Sequence, residues 1–252
     1  ATKIEGSVAE HLRNSPESSP PAGVAPVLPE LGLEVRQVGV PVPHHPGHQS
    51  FPLTIEAWVK PTGGGGEIVD KYVASSGDGY RLFLNNTTLG AWYYTLGTGG
   101  DAFNPNASIQ LTLNAWNHVA MTVTATELRF YVNGNPAGVA VPDNGGNFGP
   151  VTTMTPVTIG RFNSQTSNHF QGQIDEVRIW ATARSCQEIS QQRNCELNGS
   201  EPQLVDYYRF NQGVASANNS GVTTLTDLAV TIDGANDGTL SNGFALNGPT
   251  SN

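Results

Sequence analysis

Lysine occurs only three times in 252 residues, at Lys3, Lys60 and Lys71. Lysine and arginine together number 12 against 21 acidic residues, a formal net charge of −9. Nucleic-acid binding through phosphate neutralisation needs clustered basic side chains, so that function class is excluded. Charged residues of both signs make up 13% of the chain, where ordinary soluble domains carry roughly 25%. No apolar run approaches the ~18 residues of a membrane-spanning helix, so membrane insertion by that route is not expected. Cysteine is confined to Cys186 and Cys195, too few for a disulfide-stapled miniprotein and no metal site by themselves. G-x-S-x-G, H-E-x-x-H and C-x-x-C are all absent, which removes the commonest signatures of serine hydrolases, zinc proteases and dithiol oxidoreductases.

What is abundant is turn chemistry, with 29 glycines and 17 prolines. The prolines gather in residues 1–50, as NSPESSPPAGVAPVLP over Asn14–Pro29 and VPVPHHPGHQS over Val40–Ser50. Proline at this density breaks helices and central strands. Residues 1–50 are therefore expected to be an extended arm. Its strand-competent piece, LGLEVRQVGV, carries Leu31, Leu33, Val35, Val38 and Val40, with Val42 just beyond. No apolar leader segment is visible and Ala1 is not Met; together with the Thr/Asn/Gly-rich composition, a secreted protein whose leader has been cleaved is the simplest expectation.

Residues 51–252 are expected to form the domain proper. Strict alternation marks strands at Leu53–Val59, Tyr80–Leu84, Gly90–Thr95, Trp116–Thr124 and Glu127–Val132, and further short strands at Val157–Gly160, Gln173–Trp180 and Leu204–Phe210. Pro61–Gly66 reads as a loop, and Asn133-Gly134 as a hairpin turn. Turn signals every ~8–12 residues suggest an antiparallel sandwich or jelly roll. One helix is predicted over Ala183–Arg193, opened by a Ser185/Glu188 capping box.

Six blocks share a further property. TIEAWVKP, WNHVAMTV, LRFYVNGNPAG, TIGRF, FQGQIDEVRIWATARS and LVDYYRFNQG, spread over residues 51–213, together resemble the laminin-G-like, or concanavalin A-like, jelly-roll family. The resemblance implies an all-β, two-sheet antiparallel sandwich with an extracellular binding, adhesive or structural role. The family's usual acidic first strand has no counterpart in residues 30–50, which puts in doubt a calcium site drawing on it. It also implies a sheet edge that the arm of another copy can complete by strand addition.

Candidate sites follow from residue chemistry. Asp175 and Glu176 are weighed as calcium ligands and as carboxylates held by Arg178 or Arg161. Alternation sends the two to opposite faces, so they cannot serve as a glycosidase pair, and the chain is expected not to be an enzyme. Trp92 and Tyr94 share a face, either buried or stacking on sugar rings. His44, His45 and His48 are read as a solvated loop in preference to a zinc site. Cys186 and Cys195 are ~13.5 Å apart if one helix runs unbroken between them, so a disulfide requires the chain to turn back near Arg193-Asn194; that disulfide is expected in an oxidising compartment. The leading expectation is a non-catalytic extracellular protein assembling into a fibre or surface layer, its partners being further copies of itself, with Leu31, Leu33, Val35, Val38, Val40 and Val42 as the assembly strand. The alternative is a lectin-like carbohydrate-binding module whose partners are glycans or cell-surface proteins.

Overall fold

A computed structural model describes residues 33–35, 39–95, 101–104, 109–143, 146–163, 168–212, 221–230 and 235–240, with backbone alone at 33–35 and 101–104. Fifteen strands and two short helices are defined among them. The strands are β1 (Leu33–Val35), β2 (Val40–Val42), β3 (Leu53–Pro61), β4 (Gly65–Asp70), β5 (Gly79–Asn85), β6 (Thr88–Tyr94), β7 (Asp101–Asn104), β8 (Asn117–Val123), β9 (Leu128–Val132), β10 (Asn135–Ala140), β11 (Val157–Ile159), β12 (Gly172–Trp180), β13 (Leu204–Tyr208), β14 (Thr224–Leu225) and β15 (Gly238–Thr239). A 3-10 turn spans Pro46–Gln49, and helix α1 spans Cys186–Gln192.

Two antiparallel sheets face each other. One runs β1-β12-β3-β8-β9-β10, with β13 also on β12; the other runs β2-β11-β4-β5-β6-β7. The jelly-roll reading of the sequence is thus met. The period-2 rule explains the core. Leu53, Ile55, Ala57 and Val59 of β3, and Val119, Met121 and Val123 of β8, have no exposed surface. They meet Tyr80, Leu82 and Leu84 of β5 and Leu89, Ala91 and Tyr93 of β6 in one cluster. Asn133 and Gly134 have φ of 52° and 79°, the double positive φ that a two-residue hairpin with the right twist needs. The capping box is present: Ser185 Oγ accepts from Glu188 N, and the Glu188 carboxylate accepts from Ser185 N.

The segment expected to reach a neighbouring copy is used differently. β1 pairs with β12, Leu33 opposite Ile174 and Val35 opposite Gly172. β2 pairs with β11, Val40 opposite Ile159 and Val42 opposite Val157. Val40 and Val42 are fully buried in the chain's own core, because the edge of this sheet next to β11 is completed from within. Leu31 and Val38 lie outside the described residues, as do the side chains of Leu33 and Val35. β10 is the returning strand of the hairpin marked by Asn133-Gly134; β4 and β7 had not been anticipated, and β4 begins inside the segment read as a loop.

Replacing Val40 or Val42 by Ala removes buried methyl groups and leaves a cavity, at about 2 kcal/mol each. Urea denaturation of each variant is expected to show a lowered midpoint with an unchanged slope. A midpoint equal to that of the unsubstituted chain would show that β2 is not a core strand.

Candidate functional site

The two sheets differ in what lies on their outer faces. On the seven-stranded sheet the outward side chains Glu56, Trp58, His118, Ala120, Arg178 and Trp180 are all at most 9% exposed. α1 lies over part of them, with Ile189 packed against Ala120 and Tyr131 and Trp58 Nε1 donating to Arg193 O at 2.8 Å. Leu197, Tyr207 and Ala229 surround Trp180. Trp180 Nε1 and Arg184 Nη1 donate to Glu56 Oε1 at 2.7 and 2.6 Å, and His118 Nε2 is 3.4 Å from Glu56 Oε2. Burial alone would raise the Glu56 carboxyl, but His118 and the charges of Arg184 and Arg178 outweigh it and hold it at about 2. Burial lowers the His118 imidazole, against the pull of Glu56.

Asp175 and Glu176 belong to this closed face, and both are on it. Their expected separation onto opposite faces is corrected by a bulge: Asp175 pairs with Trp58, yet Arg178 pairs with Glu56, so β12 spends one residue more than β3. Glu176 takes φ of 51° at that point. Glu176 Oε2 accepts from Arg178 Nη2 at 2.8 Å and Tyr207 Oη at 2.5 Å, so an arginine and a phenol occupy the carboxylate's coordination. Asp175 Oδ1 accepts from Glu176 N at 2.9 Å. Burial, then the Glu176 charge, push Asp175 up to about 8. Among the described residues no group of three or more His, Cys, Asp or Glu side chains is arranged to hold a metal ion.

Cys186 and Cys195 are not bonded to each other, which corrects the expected disulfide. They lie at opposite ends of α1, whose rise of ~1.5 Å per residue keeps them apart. Cys186 Sγ points at Gly134 O and Cys195 Sγ at Gln191 O, each at 3.4 Å. The histidines are not a solvated loop either. His48 is fully buried with Nε2 2.5 Å from Asp206 Oδ2, and His45 Nδ1 accepts from Gly47 N at 3.0 Å. His44 Nδ1 lies 3.1 Å from the Nζ of buried Lys71. Burial lowers Lys71 to about 8 despite Asp78 and Asp206.

The six-stranded sheet is arranged otherwise. Among the described residues no helix covers its outer face. β4 also bulges, with Glu67 opposite Phe83 and Val69 opposite Leu82. The extra residue puts Ile68 and Val69 both in the core and turns Glu67 and Asp70 to the same outer face. Between them stands Arg81 of β5. Its Nε and Nη2 donate to the two oxygens of Glu67, and Nε is 3.2 Å from Asp70 Oδ2. Three rings enclose the guanidinium, with centroids 4.6 Å (Phe162), 5.0 Å (Phe83) and 5.9 Å (Trp92) away, close enough for cation–π attraction. Asp70 Oδ1 accepts from Tyr72 N and Asn163 N. Burial, then the charge of Glu67, raise Asp70 to about 8 in spite of Arg81, so it keeps its proton at neutral pH. Burial also raises Glu67, with Arg81 opposing.

An open cleft of about 1040 Å³ adjoins this cluster, lined by Glu67, Arg81, Phe83, Asn85, His169 and Gln171 among others. Its far wall, residues 168–171, is strapped to β4: Glu67 N donates to Asn168 O at 3.1 Å and Gln171 N to Gly65 O at 3.2 Å. Gly66 permits the approach, since at φ of 115° a Cβ there would sit 2.2 Å from His169 O. On the other side of Arg81 the face continues into Trp92 and Tyr94, both half-buried. The Trp92 ring stacks on that of Tyr72, centroids 5.3 Å apart and planes at 25°. Tyr93, between them, is in the core and donates to Gly149 O at 2.7 Å. The structure thus brings Trp92 and Tyr94 to one outer face with Arg81 and Glu67, and keeps Asp175 and Glu176 away from it. Neither Glu67 nor Arg81 was singled out from the sequence.

The family model of the concanavalin A-like lectin/glucanases superfamily matches residues 37–190. The chain belongs to this superfamily. Among solved structures, this lectin/glucanase-type chain resembles a candidate carbohydrate binding protein from Bacteroides ovatus ATCC 8483, at 20% identity and a TM-score of 0.57, over 81% of this chain and 56% of that one. It also resembles the enzymatically active domain of tailspike protein 2 from bacteriophage CBA120, at 12% identity and TM-score 0.52, over 78% and 32% of the two chains. The CBM40 of the Ruminococcus gnavus IT-sialidase aligns at 12% identity and TM-score 0.48, over 65% and 97%. The chain therefore spans little more than half the length of the Bacteroides protein. No curated protein matches it significantly. At these identities the likeness is one of fold.

A carboxyl whose folded pKa is raised holds its proton where the unfolded chain has released it, so its contribution to stability is lost as pH rises from the unfolded value to the folded one. For Asp175 that window runs from 3.8 to about 8. Asp175→Asn cannot titrate. The melting temperature of the unsubstituted chain is expected to fall relative to that variant as pH rises through this window; parallel curves would place the Asp175 carboxyl in water.

Proposed function

We propose that the chain is a non-catalytic, extracellular carbohydrate-binding module whose ligand lies on the outer face of the six-stranded sheet. The observation that carries this reading is the open cleft beside Arg81, continued by the half-buried rings of Trp92 and Tyr94. Sugar rings present apolar C–H faces that stack on aromatics, and hydroxyls that both donate and accept. A wall of rings, amides and one buried ion pair offers partners for both. Membership of a superfamily that includes lectins, and the fold shared with the Bacteroides protein, support the reading.

The absence of catalysis is supported by the lining. Among the described residues that line the cleft Glu67 is the one carboxylate, and it is held on both oxygens by Arg81. Glycoside hydrolysis ordinarily needs two carboxyl groups at the bond that breaks. Assembly into fibres through residues 31–42 is favoured less, because β2 already serves as this chain's own edge strand.

Asn85 is exposed at the cleft, so Asn85→Trp fills the space without touching the core. Calorimetry against soluble oligosaccharides is expected to show that Asn85→Trp abolishes binding and that Trp92→Ala weakens it about tenfold, both with native circular dichroism. Unaltered affinity in both variants would move the site elsewhere.

A further inference from the structure

We infer that the cleft selects uncharged sugars over carboxylated ones, an inference that rests on the glycan-binding reading above. Glu67 and Arg81 carry the lining's charge, and it is spent internally. Nε and Nη2 of Arg81 form a two-pronged bond to Glu67, and Asp70 lies against the same Nε. Burial and then Arg161 lower His169, the remaining titratable side chain among the described lining residues, and so favour its uncharged form. Arg161 itself does not line the cleft.

A uronic- or sialic-type carboxylate is bound most strongly by a guanidinium edge or an ammonium. The Nε–Nη2 edge is already filled here, and Glu67 offsets the charge that would draw a second carboxylate to the remaining Nη1. Displacing Glu67, which is 2% exposed, would leave a buried carboxylate without its partner, a heavy cost. Asp70 cannot relieve this, because Glu67 already raises it and it has no exposed surface. A neutral sugar faces no such obstacle. Nη1 of Arg81 holds no hydrogen bond among the described residues and is a pure donor, which a sugar hydroxyl can accept from as readily as it donates elsewhere. The amides of Asn85, Asn168 and Gln171 add both functions without charge.

The test is calorimetry of the full chain at pH 7 against neutral oligosaccharides and the corresponding uronic-acid or sialylated ones, with Glu67→Gln and Asn85→Trp in parallel. Neutral ligands are expected to bind about tenfold or more tightly than their carboxylated counterparts. Glu67→Gln unclamps Arg81 and is expected to shrink or reverse that ratio. A preference of the unsubstituted chain for carboxylated ligands, abolished by Asn85→Trp, overturns neutral selection while leaving the glycan site in place. Binding that Asn85→Trp leaves intact, or no binding of either class, overturns the site and this inference with it. The preference of the unsubstituted chain decides the matter even where Glu67→Gln fails to fold.

Discussion

Glu56 sits in the middle strand of the larger sheet with no exposed surface, accepting from Trp180 Nε1 and Arg184 Nη1 on one oxygen and facing His118 with the other. A lone buried carboxylate costs several kcal/mol, so the sheet is tolerable only with its donors in place. Those donors come from β12 and from the segment that leads into α1. Satisfying Glu56 therefore draws the chain after β12 back across the sheet, and α1 follows with Ile189 on Ala120. α1 thus lies over part of this outer face, whereas among the described residues no helix covers the outer face of the other sheet, where the candidate site lies.

The two bulges reuse one device with opposite results. In β12 the extra residue turns Asp175 and Glu176 to the same side, beneath the cover, where Arg178 and Tyr207 engage Glu176. In β4 it turns Glu67 and Asp70 to the same side, at the open face, where Arg81 joins them. Regular alternation would separate either pair. Burial first, and then the charge of the neighbouring glutamate, raise one member of each pair, Asp175 or Asp70, to about 8. In each pair the close approach of the two carboxyls is a property of the local backbone as much as of the residues present.

Strand positions were legible wherever alternation was undisturbed, as in Leu53–Val59 and Asn117–Val123, and the Ser185/Glu188 box marked α1 correctly. Gly65–Asp70 was not legible. Its glycines read as a loop, and its two adjacent core residues, Ile68 and Val69, break the period that a strand reading relies on. Since the cleft is built on that strand, Glu67 went unnoticed with it. Trp92 and Tyr94 could be placed on one face from alternation, but not on a covered or an uncovered one. The same ignorance of bulges sent Asp175 and Glu176 to opposite faces. A turn back after α1 does occur near Arg193, yet the two thiols point at different carbonyls; spacing along the chain gives reach, not direction.

Proline in residues 39–50 invited a reading as a free arm, and its physical role is nearly the reverse. Pro41 lies in β2 between Val40 and Val42, at the sheet's edge, where its missing N–H costs no ladder bond on the open side. A proline there also gives a further chain one donor fewer to pair with, and so discourages the strand addition that an unprotected edge invites. The edge is thus occupied within the chain, its backbone paired to β11, while among the described residues no helix covers the outer face of the same sheet.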